Sequence, residues 1–140
     1  MARTTIALCA VLCAAPAGAA EISVTLWDKP DGTMGITTSA PSVAAGPVTF
    51  KVTNSSAMLI HEMVVVRLTP EQAAHPDALP YDATAREVEE EDVDGISEVA
   101  ELDPGKGGEL SVTLAAGSYE LICNVAGHFM NGMRALLSVK

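Results

Sequence analysis

Basic residues are scarce in this chain: 8 Lys and Arg stand against 18 Asp and Glu, for a formal net charge of −10. Such a deficit argues against nucleic acid and anionic membranes as partners and favours a positively charged protein surface. Long apolar runs are missing as well. The run Ile6 to Ala15 is too short to span a bilayer, and no later segment reaches about 18 consecutive apolar residues, so no membrane insertion is expected. There is no Gly-x-Ser-x-Gly elbow, phosphate loop or dinucleotide fingerprint, which leaves hydrolases and nucleotide-dependent enzymes without support. His61-Glu62-Met63-Val64-Val65 begins like a zinc-protease motif but lacks the second histidine at the needed spacing. No internal repeat or domain boundary is visible.

The first twenty residues have a basic start at Arg3, the short apolar run, then Pro16 and the small residues Ala17-Gly18-Ala19-Ala20. That layout predicts a cleavable secretory signal, with cleavage after Ala19 or Ala20, and an exported, soluble, periplasmic domain over 21–140. A length of 140 residues leaves room for one domain, and a hydrophobic fraction of 49% suffices for a packed core. Loss of the signal removes one basic residue and no acidic one, taking the net charge to about −11. It also removes Cys9 and Cys13. Cys123 is then the only thiol, without a partner for an internal disulfide in an oxidising compartment.

From Glu21 onward the chain reads as short strands with turn punctuation. Ile22, Val24 and Leu26 alternate with polar neighbours before the turn Lys29-Pro30-Asp31-Gly32. Val48 to Thr53 repeats the alternation and ends at Asn54-Ser55-Ser56, a glycosylation sequon better explained as a polar turn. Further strands are expected at Leu59–Leu68, Leu110–Leu114, Tyr119–Cys123 and Arg134–Val139. Residues 69–104 differ: Pro70, Pro76 and Pro80 break the first half, and Asp82 to Asp94 is dense in acid. The expectation there is an insertion with a short surface helix or two, the acidic run forming a solvated helical face. It lacks the spaced ligands and central glycine of a calcium loop. The whole pattern predicts an all-β, Greek-key sandwich with an acidic, partly helical insertion.

The stretch carrying chemistry is Tyr119-Glu-Leu-Ile-Cys123-Asn-Val-Ala-Gly-His128-Phe-Met-Asn-Gly-Met133. A thiolate, an imidazole and a thioether at Cys-x4-His-x4-Met lie on one loop between two strands, and such a loop can fold all three around one point. A trigonal set of thiolate and imidazoles with a weak axial thioether suits copper. One more imidazole is needed. His61 sits near the start of a rigid strand, whereas His75 lies between Ala74 and Pro76 in the insertion and reads as a surface residue. Met130 is a second thioether in the same loop.

These residues resemble the cupredoxins, the small blue-copper proteins. Asn54-Ser-Ser-Ala-Met-Leu-Ile-His61-Glu-Met-Val-Val-Val is similar to the strand that carries the family's first histidine, and Cys123 to Met133 to its ligand loop. The spacing is closest to the rusticyanin and sulfocyanin branch. The resemblance covers roughly 43–68 and 105–140 and is absent across the insertion. It implies one mononuclear Cu(I)/Cu(II) ion on His61, Cys123, His128 and Met133. It further implies a hydrogen bond from the Glu62 N–H to the Cys123 sulfur and an apolar collar of Met58, Ala126, Phe129 and Met130 around His128. Glu62 stands where the family often has Asn or Ser, a departure at the side chain that usually clamps the two loops.

The function so implied is a monomeric, non-enzymatic electron carrier between redox proteins such as a cytochrome and an oxidase, the partner offering a basic docking surface. The alternative is a periplasmic copper-binding protein for copper tolerance or delivery. The chain lacks the extended Met- or His-rich runs of dedicated copper handlers.

Overall fold

The computed structural model describes residues 18–140. The signal expected over 1–20 lies almost wholly outside the described residues. Regular structure begins with β1 (Ala20–Asp28), followed by β2 (Met34–Thr38), β3 (Ser42–Val43), β4 (Gly46–Asn54) and β5 (His61–Leu68). The insertion holds the short strands β6 (Tyr81–Asp82) and β7 (Glu87–Val88), and after it come β8 (Asp94–Leu102), β9 (Gly107–Leu114), β10 (Gly117–Ile122) and β11 (Arg134–Val139).

These strands form two sheets, in the orders β2-β1-β4-β9 and β3-β11-β10-β5-β8. β1 runs parallel to β4 and β3 parallel to β11, while the remaining pairs are antiparallel. Alternation decides what lies between the sheets, because successive side chains point to opposite faces. Ile22, Val24 and Leu26 of β1 and Val48, Phe50 and Val52 of β4 pack against Met63 and Val65 of β5, Tyr119 and Leu121 of β10, and Leu137 and Val139 of β11. The predicted sandwich is thus built with its core between facing sheets.

The second sheet has a second apolar layer on its outer face. Val64, Val66 and Leu68 of β5 and Ile122 of β10 are covered by Leu79, Val88 and Phe129. Burial on both faces explains why β5 reads as a nearly unbroken apolar run rather than an alternation. Its start differs from expectation: Met58, Leu59 and Ile60 are exposed in the approach to the strand, and pairing begins at His61.

The partly helical insertion is present, but it is shorter than expected. It comprises one short helix, α1 (Pro70–Ala74), capped by Thr69 and Gln72 in a reciprocal box, a 3-10 turn at Pro76–Ala78, the two-stranded ribbon of β6 (Tyr81–Asp82) and β7 (Glu87–Val88), and a second 3-10 turn. The acidic run expected as a helical face makes only one 3-10 turn, Glu90–Asp92. Residues 94–102 belong to the sandwich, as the edge strand β8 paired with β5. Only Val99 of that strand is fully buried, so its sequence shows little alternation, and its exposed Glu98 and Glu101 are the charges that protect a sheet edge from pairing with another chain.

One buried charge lies under the insertion. Glu120 of β10 is 1% exposed, and its Oε2 has no hydrogen-bond partner. Burial pushes its carboxyl up to about 7, against the pull of Arg134 and with the push of Asp77. A raised pKa in the folded state means that stability is fully present below the unfolded value of 4.5 and is lost as pH rises through 7. The shift corresponds to about 3 kcal/mol. Glu120→Gln should remove this component, so that urea unfolding at pH 5 and pH 8 differs less than in the parent protein; an unchanged difference would place the pH dependence elsewhere.

Candidate metal centre

The parity that builds the core also builds the site. Continuing the inward positions of β1 (Ile22, Val24, Leu26) by one step reaches Asp28; those of β10 (Tyr119, Leu121) reach Cys123. Counting back along β11 from Val139, Leu137 and Ala135 reaches Met133. β5 starts with its inward residue, His61. These ends meet at one end of the sandwich, where His61, Cys123 and Met133 are buried, and the loop between Cys123 and Met133 adds His128, which is half-buried. A register shift between His61 and Met63 marks a β-bulge in the β5–β8 pair beside the site.

Ligating atoms of His61, Cys123 and His128 all lie within 4.8 Å of one another. The Cys123 Sγ is 3.4 Å from Nδ1 of His128 and 4.0 Å from Nδ1 of His61, and the two Nδ1 atoms are 3.2 Å apart. The Glu62 N–H donates to the sulfur at 3.4 Å. The loop is closed by Cys123 N–H to Met133 O at 3.0 Å and Met133 N–H to His128 O at 3.1 Å. Gly127, at φ +84°, and Gly132, at φ +96°, supply left-handed turns within it. His75, read as a surface residue, is exposed and far along the chain in the insertion.

The approach to His61 is equally fixed. Asn54, fully buried at the end of β4, donates through Nδ2 to Leu59 O and Leu102 O, and its Oδ1 accepts from Ser56 N–H. Ser56 Oγ accepts from the N–H groups of Met58 and Leu59. The expected polar turn is therefore a buried network holding the chain before β5.

Two functional neighbours escaped the sequence reading. Asp28 Oδ1 lies 3.0 Å from Nε2 of His61. Accepting a hydrogen bond from Nε2–H there leaves Nδ1 with the free lone pair a metal would need, the part a carboxylate usually plays behind a metal-bound histidine. A hydrogen bond from Ser56 and the nearby His61 hold this carboxyl below its ordinary range. The signal that could have found it was an acid on the inward parity of β1. Asp28→Asn should weaken metal binding by about 10–100-fold, measured by competition with a chelator; unchanged affinity would remove Asp28 from the centre. The second neighbour is Asn124, the buried residue that follows Cys123.

The collar also needs correcting. Met58 is 82% exposed and Met130 60%, and Ala126 is exposed, but Phe129 is buried in the second core with Arg134 over its ring. Ile60, 42% exposed, lies next to His61 in sequence and adds an apolar surface not foreseen.

The donor set fits copper on its own chemistry. Burial pushes the Cys123 thiol up to about 11, opposed by the N–H groups of Glu62 and Val125, so a soft cation is needed to hold the thiolate near neutrality. Burial and the neighbouring His61 lower the pKa of His128, favouring the neutral, ligating imidazole. A thiolate and two imidazole nitrogens with a methionine on the same loop is a type 1 copper set rather than a four-donor structural zinc set.

The fold is that of the cupredoxins, with a His–Cys–His cluster at one end of the sandwich. The chain is similar to a dithionite-reduced auracyanin from Roseiflexus castenholzii, at 22% identity and a TM-score of 0.59 over 88% of this chain and 99% of that one. It is also similar to auracyanin A from Chloroflexus aurantiacus, described as a "blue" copper protein, at 24% identity and a TM-score of 0.58 over 88% and 100%. Rusticyanin from Thiobacillus ferrooxidans gives 15% identity and a TM-score of 0.61 over 86% and 76%. At these identities the likeness is one of fold. No protein-family model matches the sequence, and no curated protein matches it.

Proposed function

We propose that this chain is an exported, mononuclear type 1 copper protein, with His61, Cys123, His128 and Met133 as ligands, which passes single electrons between redox partners. The observation that carries the reading is the convergence of one buried thiol and two imidazole Nδ1 atoms at the end of a packed sandwich. Copper, when bound, supplies a one-electron couple. The chain's part is to hold the donors in one arrangement through the Asn54, Ser56 and Glu62 hydrogen bonds, to exclude water from Cys123, and to bring the His128 ring to the surface.

Met58 and Ile60 precede His61 in the chain, Ala126 and Met130 flank His128, and all four are exposed; on this reading they supply an apolar landing area suited to brief docking. The net charge of −10 favours a partner with a basic surface, such as a cytochrome or oxidase, and steers its approach. Export to the periplasm rests on the signal-like first twenty residues. Among the described residues no helix is long and apolar enough to cross a membrane. The carrier is expected to work as a monomer.

The test is the visible spectrum of the copper-loaded protein. An intense blue band that bleaches on reduction and returns on oxidation is the expected result; a colourless protein overturns the reading.

A further inference from the structure

We propose that Asn124 is a positioning residue whose side-chain amide fastens the ligand loop to the insertion, so that the insertion acts as the clamp on the Cys123–His128 segment. The proposal rests on the reading of that loop as a metal-ligand loop.

Asn124 directly follows Cys123 and is buried. Three hydrogen bonds of its amide are spent on the insertion: Oδ1 accepts from the Val88 N–H at 2.6 Å, and Nδ2 donates to Val88 O at 3.0 Å and to Glu90 Oε1 at 2.9 Å. Bonding both the N–H and the C=O of one residue makes the side chain a substitute strand partner for β7. Removing it would strand two buried backbone groups.

Two further attachments lie on the same side of the loop. The Gly127 N–H donates to Arg86 O at 2.7 Å, and a Cβ at Gly127 would run into the Arg86 guanidinium. Phe129 is buried in the second core with its ring 6.3 Å from that of Tyr81. Residues 124, 127 and 129 therefore face the insertion, interleaved with Cys123 and His128, which face the centre. Across the site, β5 contributes the Glu62 N–H to the sulfur, and the Glu62 carboxylate lies by the Asn124 N–H. The Asn124 side chain itself turns the other way. The insertion, which the family resemblance does not cover, is thus wired to the residue after the thiolate.

The test compares the parent protein with Asn124→Ala, Asn124→Asp and a control, Val48→Ala, which removes core volume at the opposite end of β4. Asn124→Asp keeps the acceptor for Val88 N–H and loses both donated bonds. In metal-free protein, hydrogen exchange at the Val88 and Gly127 amides is expected to speed by about tenfold or more in Asn124→Ala, with Asn124→Asp intermediate at Val88. In copper-loaded protein, Asn124→Ala should release copper to a chelator about 10–100-fold faster and shift the reduction potential. Val48→Ala should lower the melting temperature while leaving release and potential at parent values. Exchange unchanged in Asn124→Ala, or release and potential no different from Val48→Ala, overturns the proposal. Should the parent protein take up no copper, the metal-centre reading fails, and the exchange measurement in metal-free protein alone decides whether Asn124 fastens the loop.

Discussion

Cys123→Ser is expected to abolish the intense visible band of the copper-loaded protein while leaving a folded sandwich. The band of a type 1 centre comes from charge transfer between a thiolate sulfur and copper, and Cys123 supplies the only thiol among the described residues. A serine hydroxyl is nearly isosteric but remains protonated and is a hard, weak donor. The Glu62 N–H, which reaches the sulfur at 3.4 Å, keeps an acceptor in the oxygen. The fold should therefore lose no more than about 1–3 kcal/mol, the range for an imperfectly satisfied buried polar group. Absorption and far-ultraviolet circular dichroism on the same sample separate the two effects. Survival of the blue band in Cys123→Ser would show that the chromophore lies elsewhere and would sink the assignment.

Phe50→Ala should have the largest effect on stability, about 3–5 kcal/mol, the cost usually seen when a buried Phe is cut to Ala. Phe50 is fully buried at the middle of β4, paired with Ile22 of β1 on one side and Leu110 of β9 on the other. It fills space in the close-packed core between the sheets, so its truncation leaves a cavity. Urea unfolding would register the loss as a lower midpoint with the slope preserved. A change under about 1 kcal/mol would mean that the two sheets close over the gap and that the core is softer than its burial implies.

Those variants bear on different levels of the molecule, and the sequence spoke unequally about them. Alternation at Ile22–Leu26, Val48–Val52 and Tyr119–Leu121 is a local property, because a strand with one face in the core must repeat every second residue. These strands and the sandwich class could be read directly. The pairing of Cys123 with His128 was equally legible: the two are five residues apart on one short loop, and their Sγ and Nδ1 lie 3.4 Å apart. His61 was reached from its place at the start of a strand, although its partners lie more than sixty residues away.

Other features depend on which chain segments meet. β8 was taken for part of the insertion because an edge strand with one fully buried side chain has almost no periodic signal; only pairing with β5 makes it a strand. Phe129 was placed on the surface collar because a loop aromatic next to His128 has no preferred side until the insertion provides a second core. Glu120 stands between Tyr119 and Leu121 as an ordinary outward polar residue, and only the insertion folded over β10 buries it.

The sequence by itself determined the strand periodicity, the lone thiol and the donor spacing of the ligand loop, because each depends on residues a few positions apart. The tertiary structure alone decided that Asp28 backs His61 and that Asn124 is spent on Val88. Those contacts join strands whose register and sheet order are set by burial of the whole core, which no local pattern encodes.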